Sequence, residues 1–423
     1  MSESSRTVLI SGAGIAGPVV ASWLGKKGIR ATLVERAQSI RTNGQTIDIK
    51  GIARDIVKKM GLEPAIRAAC TEEAGLYFVD EQDKVLGTFG VDGPGLTSDI
   101  EILRYKLADI FYEDSKDSTE YIFGDFITNI TQSEEKVTID LNSGKTRSFD
   151  VVVLCDGQSS RTRSMVFPRG EEEGVRYVSL GVKTAFYSIP GKMLKDDWSR
   201  AYWTTKGRNV LMRPDYRSDE VRTRVFLNTM SKEADELFEG YTKLDMTSQK
   251  RLWTGWYDRA GWNTPQLLKG LEETDDFYMT DIAQVRSSKW HKGRVVMVGD
   301  TAYCPSGLTG MGTSAAITGA FVLAQELARR PSWTELSDVT SAFEDYDRKC
   351  RPYIENAQSV SKTLVSLLYP ESVFGVRVLR YVVGAVSFIV NSAVFKGISS
   401  IVGRLTGSKD RKPDEKIDLS EYF

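Results

Sequence analysis

The sequence predicts an α/β fold: a parallel sheet flanked by helices, interrupted by an inserted β-rich unit and followed by C-terminal helices. Three observations carry this prediction. The apolar run Thr7-Val-Leu-Ile-Ser11 breaks into Gly12, Gly14 and Gly17, then leads through a helical stretch to Ala31-Thr-Leu-Val-Glu-Arg36. Two later apolar runs, in Phe149–Gly157 and Gly293–Asp300, also end in turns containing an acid and a glycine. Uninterrupted apolar runs of this length mark strands buried on both faces, as parallel strands are. Between about 177 and 280 the pattern changes to alternating strands such as Val221–Asn228, with helical pieces rich in Trp and Tyr. The expected organisation is a discontinuous Rossmann-like domain (1–75, 99–176 and 281–352), a second domain (76–98 and 177–280), C-terminal helices (353–405) and a charged tail (406–423).

Each element has a local reason. In the opening G-x-G-x-x-G, Gly12 allows a tight turn, Gly14 lets the backbone approach a pyrophosphate, and Gly17 permits close packing of helix on sheet. Ala16 lies among them, and Glu35 stands at the spacing of a ribose hydroxyl partner. A strand before, a helix after and an acid at this distance identify a dinucleotide site, its phosphates lying on the amides of a helix N-terminus. Gly44–Gly51 alternates as an extended segment and a helix follows through Met60. Leu76–Phe89 reads as a hairpin with a polar turn at Asp80–Lys84, and a helix is expected from Arg104 to Tyr112. Strands near 121–130 and 136–141 lead to Phe149–Gly157; Gly293–Asp300 passes into a long helix through Arg329.

Composition narrows the function. With 56 basic and 57 acidic residues in 423, the chain has no net field to hold nucleic acid, so a small-molecule substrate is expected. The four cysteines show no C-x-x-C spacing, which favours free thiols in a reducing compartment, with cytosol as the default. The only histidine, His291, excludes His-based triads and multi-histidine metal sites. It is expected to face solvent in the Lys289–Gly293 turn, so the chemistry must come from a cofactor and no metal is assigned. Near the C-terminus, Val382–Phe395 is apolar and flanked by Arg377, Arg380 and Lys396. It is short for a spanning helix, which leaves two readings open: interfacial membrane contact over 372–404, or packing against the body or a second subunit. Lys409–Lys416 reads as a mobile tail.

Two further motifs complete the picture: Asp156-Gly157-Gln-Ser-Ser160-Arg-Thr-Arg163, and Gly299-Asp300-Thr-Ala-Tyr-Cys-Pro305-Ser-Gly-Leu-Thr-Gly310-Met311-Gly312. With the first glycine motif, they resemble the three ordered fingerprints of the single-component FAD-dependent aromatic hydroxylases, the p-hydroxybenzoate hydroxylase family, across residues 6–352. Gly44-Gln-Thr-Ile-Asp48 and Pro305 look most like the tetracycline-inactivating and polyketide-tailoring branch. The resemblance implies a Rossmann-like FAD-binding domain with an inserted β-sheet substrate domain.

It also implies roles. Asp300 would accept from the ribityl hydroxyls, while the amides of Gly310, Met311 and Gly312 would face the pyrimidine edge of the flavin, with Pro305 as the adjoining wall. Arg104 would contact the cofactor phosphate or ribityl chain, and Asp156 with Arg163 would serve FAD and a transient nicotinamide coenzyme. Arg36 would lie over the adenine, and Gln45 and Asp48 in the strand passing the flavin. Each has an ordinary alternative: a helix or turn cap for Asp300 and Asp156, a turn proline for Pro305, a solvated side chain for Arg36 and Arg104, and an edge-strand polar group for Gln45 and Asp48.

No second strand-GxGxxG-helix unit is present for NADPH or NADH, so the reductant is expected to bind only transiently. The implied reaction adds O2 to reduced FAD and passes one oxygen from a C4a-hydroperoxyflavin to an aromatic, polyketide-like or alkaloid-like molecule, by hydroxylation or epoxidation in a dry pocket. No base is identifiable, so no catalytic side chain is named. Phe186, Trp203 and Phe226 are candidates to line the pocket, with Tyr187, Tyr202 and Trp256, although core packing is the ordinary role of each. A reductase of the same fold acting without oxygen insertion is the alternative. A halogenase lacks support because Trp253-Thr-Gly-Trp256 is not the W-x-W-x-I-P motif. A flavin-bearing sensor without turnover is the remaining rival, and monomer and homodimer are both compatible with the sequence.

Overall fold

A computed structural model describes residues 6–41, 44–71, 73–91, 98, 100–167, 174–216, 220–392 and 417–422. The expected strands assemble into a six-stranded sheet in the order His291–Lys292, Val295–Met297, Val151–Leu154, Thr7–Ser11, Arg30–Glu35, Thr119–Phe123. All pairings are parallel except that of the edge strand His291–Lys292. The helices Ala16–Gly25 and Gly312–Arg329 pack against each other, with Trp23 edge-on to Phe321 at 4.8 Å. Val8, Leu9, Ile10, Val152 and Val153 are fully buried, as the unbroken apolar runs require. His291 is not in a solvent-facing turn. It is partly buried in its short strand beside Phe343, because the helix Leu336–Ala357 packs over that edge.

A seven-stranded sheet forms the second body, in the order Phe277–Ser287, Val175–Pro190, Arg222–Thr229, Arg208–Asp215, Trp198–Thr204, Gly75–Val79, Val85–Gly90. The hairpin at 75–90 joins it through parallel pairing of Gly75–Val79 with Trp198–Thr204. Val175–Pro190 begins before 177 and Phe277–Ser287 runs past 280, so the expected cuts at 176/177 and 280/281 fall inside strands. Long paired strands carry the chain between the two bodies without a break.

Strand alternation separates consecutive aromatics on this sheet. Tyr187, Tyr202, Val210, Val225 and Leu227 face the helices Met246–Tyr257 and Thr264–Glu273, forming a core with Trp253, Trp256 and Tyr257. The buried hydroxyls are satisfied: Tyr187 donates to the Leu267 carbonyl and Tyr202 to that of Ala260, each at 3.0 Å. Tyr187, Tyr202 and Trp256 are therefore core residues. Phe186, Phe226 and Trp203 point to the opposite face, the cross-strand register placing Phe186 opposite Phe226 and Tyr278.

The C-terminal region forms the helices Leu336–Ala357, Lys362–Ser366 and Val373–Asn391. The last begins at Val373, capped by the Ser372 hydroxyl, well before the expected apolar start at Val382. Its 19 residues make it long and apolar enough to cross a membrane by length and composition, where the sequence-based segment is short. The expected mobile stretch 409–416 and the end of the expected helical region, 393–405, lie outside the described residues. Within the expected charged tail, Ile417 and Leu419 are buried, and Tyr422 packs on Phe321 at 5.5 Å. Apolar side chains at alternate positions anchor this end despite the charges around it.

Candidate active site

Three neighbouring parallel strands, Thr7–Ser11, Val151–Leu154 and Val295–Met297, run in register, with Ser11 beside Leu154 and Leu154 beside Met297. All three motifs therefore emerge at one end of the sheet, where ligands of open α/β folds bind. Gly12 has φ +107°, and a Cβ on it would lie 2.7 Å from the Cys155 carbonyl oxygen. At Gly17 a Cβ would lie 2.0 Å from the Gly12 carbonyl oxygen, so this glycine is demanded by the turn itself. Gly14 differs: a Cβ there would meet only the Arg104 guanidinium, at 3.7 Å. The space over Gly14 is open, and the helix beginning at Ala16 has no side-chain cap and no acid in its first turn. Its free amides suit a pyrophosphate.

Glu35 is buried, and its carboxylate accepts from the Ala13 and Ala37 amides, both at 2.9 Å. It thus holds the glycine turn and leaves lone pairs on each oxygen for a ribose. Arg36 is exposed beside it. Asp156 is turned inward: it accepts from Ser160 Oγ at 2.5 Å and Thr162 Oγ1 at 2.9 Å, so its carboxylate caps its own turn. Arg163 donates to the Thr301 carbonyl at 2.9 Å and fastens the second motif to the third.

Gln45, Asp48, Arg104, Asp300, Pro305, Gly310 and Gly312 come together at the cleft. Cβ atoms built at Gly310 would lie 3.2 Å from Lys50 Nζ and 3.4 Å from Asp48 Oδ2; at Gly312, 3.8 Å from Asp300 Oδ1. Met311 caps the long helix, whose first turn carries no acid. Burial raises the Asp300 carboxyl above its ordinary range, and the positive charge of Arg104 opposes that rise. Among the described residues, Gln45 Oε1, Asp48 Oδ1 and Ser306 Oγ are buried without a hydrogen-bond partner. Unsatisfied acceptors around glycine-lined space are what a polar cofactor edge would complete. The residues fit FAD: Gly14 and the 16–25 helix would take the phosphates, Asp300 and Arg104 the ribityl chain, and Gly310–Gly312 with Gln45 and Asp48 the ring.

Above this cluster lies the open face of the seven-stranded sheet. Phe186 stacks on Tyr278 at 4.7 Å and meets Phe226 edge-on at 5.0 Å. Tyr278 is 41% exposed, but its hydroxyl end is packed toward Gln45 and Arg104, and that local burial raises its pKa, so it stays protonated at physiological pH. Trp203 is not part of this cluster. It lies three strands away on the same face, stacked on Phe78 at 4.7 Å and donating to the Leu368 carbonyl at 2.6 Å.

Sequence inspection also missed a charged group below the aromatics. Arg213 on the sheet donates to Glu73 at 2.9 Å and pairs with Glu101, which stands opposite Asp48 in the small sheet Thr46–Asp48/Glu101–Leu103. Burial, with Glu73 and Asp48 nearby, pushes the Glu101 carboxyl up to about 8 against the pull of Arg213. Arg224 is likewise engaged by Asp215 at 2.8 Å and Asp276 at 3.2 Å.

Comparison with known proteins agrees with this geometry. Residues 5–360 match the family described as FAD binding domain. The chain is 35% identical over 394 residues to the monooxygenase CTB7 of Cercospora beticola, spanning 90% of this chain and 92% of that protein. It is 32% identical, over an alignment of 451 residues, to the flavin-dependent monooxygenase eupH of Phoma sp, covering 99% and 98% of the two chains. Its fold superposes on the crystal structure of tetracycline destructase Tet(55) with a TM-score of 0.75 at 29% identity, over 93% of this chain and 98% of that one.

Proposed function

Because the chain belongs to the FAD binding domain family and is an FAD-dependent monooxygenase of the p-hydroxybenzoate hydroxylase type, we propose that it takes electrons from NADPH or NADH and transfers one oxygen atom of O2 to an uncharged aromatic or polyketide-like molecule. The observation that carries the substrate class is the aromatic face of Phe186, Phe226 and Tyr278, whose Tyr278 hydroxyl meets Gln45 and Arg104. Flat apolar surface of this kind takes up a planar ring system.

The charges around that face point the same way. Arg213 is committed to Glu73 and Glu101, and Arg224 to Asp215 and Asp276, so neither guanidinium is available to a carboxylate substrate. Tyr278 can offer its hydroxyl proton to a carbonyl or phenol oxygen, holding the ring in one orientation. Phe186 and Phe226 exclude water from the space beside it. Bound flavin, once reduced, supplies the oxygen chemistry. The fungal source of these monooxygenase relatives favours a secondary metabolite as substrate.

The test is a screen of neutral phenols, anthraquinones and acidic benzoates for acceleration of NADPH and NADH oxidation by FAD-saturated protein. Neutral polycyclic aromatics are expected to accelerate it and Phe226→Ala to weaken that response. Acceleration by benzoates alone would overturn the substrate class.

A further inference from the structure

The helix Val373–Asn391 has two unlike sides. Its inner stripe, Val376, Arg380, Val383, Ser387 and Asn391, is fastened to the substrate sheet. Arg380 pairs with Glu81 at 2.8 Å and donates to the Trp203 carbonyl, while Ser387 Oγ accepts from the Thr88 amide at 2.8 Å and Asn391 donates to the Thr88 carbonyl at 2.8 Å. Val383 lies against Gly87, where an added Cβ would come within 3.0 Å of it. The outer stripe is apolar and open to solvent: Phe374, Tyr381 and Phe388, at heptad spacing, are 77%, 81% and 78% exposed. Val378, Val382, Val386 and Ile389 join them, and Leu364, Leu367 and Leu368 continue the patch next to Trp203.

Charge identifies what covers this face. From Ser372 to Lys409 the chain holds no Asp or Glu, while Arg377, Arg380, Lys396, Arg404 and Lys409 are all basic. Arg377 lies on the outer side between Phe374 and Tyr381, where its stem can follow the apolar surface and its head reach a phosphate. A second copy of the chain docked by two-fold symmetry would bring like charges together. An anionic lipid surface matches both the apolar stripe and the basic side chains.

We propose that this face, residues 364–391, docks flat on an anionic membrane surface, with Phe374, Tyr381 and Phe388 entering the boundary between headgroups and acyl chains. The helix lies on the bilayer and does not cross it. Crossing would break the ties of Arg380, Ser387 and Asn391 to the sheet and carry Arg377 and Arg380 into hydrocarbon.

The test is sedimentation of the full-length, FAD-loaded protein with phosphatidylcholine vesicles made with and without phosphatidylserine. The protein is expected to pellet with the anionic vesicles, and the combined Phe374→Asp, Tyr381→Asp and Phe388→Asp substitutions to reduce binding at least about tenfold. Arg377→Glu should weaken binding to anionic vesicles only. Unchanged thermal unfolding and NADPH oxidation in these variants would show that the fold is intact. A protein that stays in solution with both vesicles, or whose binding ignores the triple substitution, overturns the proposal. So does a lipid-free dimer that the triple substitution converts to monomer, which would make a second copy the occupant.

Discussion

The Arg213 guanidinium meets the Glu101 carboxyl and joins the seven-stranded sheet to the two-stranded sheet that leads into Arg104. Glu73 shares the same guanidinium, so two buried carboxyl groups meet one partly buried cation where the substrate face meets the cofactor cleft. Removing the cation leaves the buried Glu73 carboxylate without its partner. Arg213→Met is expected to cost about 3–5 kcal/mol in denaturant unfolding, whereas a loss under about 1 kcal/mol would show that the pair does not bind the sheets together.

The same group sets a pH dependence. Glu101 is raised from 4.5 to about 8 by burial, so the folded protein holds a proton that the unfolded chain releases. That stabilisation is complete below about 4.5 and is lost as pH rises through about 8. Thermal unfolding of Glu101→Gln, followed from about pH 6 to about pH 9, should therefore decline less than that of the wild type. Parallel curves would contradict the assignment.

Two glycines of one motif should fail differently. At Gly17 the added Cβ meets backbone at 2.0 Å, while at Gly14 it meets only the end of Arg104 at 3.7 Å. Gly17→Ala should destabilise the protein by about 1–3 kcal/mol or more. Gly14→Ala should keep its unfolding transition and bind FAD at least about tenfold more weakly, read by flavin absorbance on titration. Asp300→Ala should likewise lose flavin affinity while remaining folded.

Phe226 and Trp256 test the two faces of the substrate sheet. Trp256, whose indole donates to Thr229 Oγ1 at 2.9 Å in the core, should cost about 3–5 kcal/mol on substitution by alanine. Phe226→Ala should change KM and substrate preference with far less effect on stability. Equal effects on unfolding would mean that Phe226 is also a core residue.

His291 gives a second pH signal of opposite sense. Burial lowers its pKa from 6.5, so the stabilisation it confers is present above 6.5 and falls away as pH drops through its folded value. His291→Phe should flatten the acid limb of the stability curve, and an unchanged limb would return the residue to solvent.

What was legible in the sequence was what depends on local backbone chemistry. The three glycine motifs, their strands and the helix from Gly312 are each specified within a short stretch, and parallel pairing then brings their ends together. The pairing of distant charges was not legible: Glu73, Glu101 and Arg213 meet through strand order and register, which no spacing between them encodes. Phe186 and Tyr187 are adjacent aromatics, and only the register of Val175–Pro190 decides that one faces the cleft and the other the core. Trp203 shares the face of Phe186 yet is drawn to Phe78 and Leu368 by its place across the sheet. Asp156 was read from its motif, but its hydroxyl neighbours Ser160 and Thr162 claim its carboxylate.

The most direct measurement is the fate of isotopic oxygen. FAD-saturated protein given NADPH, a substrate that accelerates its oxidation, and 18O2 should yield a product carrying a single 18O atom, with one NADPH consumed for each. NADPH oxidation that yields only peroxide across a broad panel of neutral aromatics, or a reduced product without 18O, would contradict the oxygen-transfer assignment.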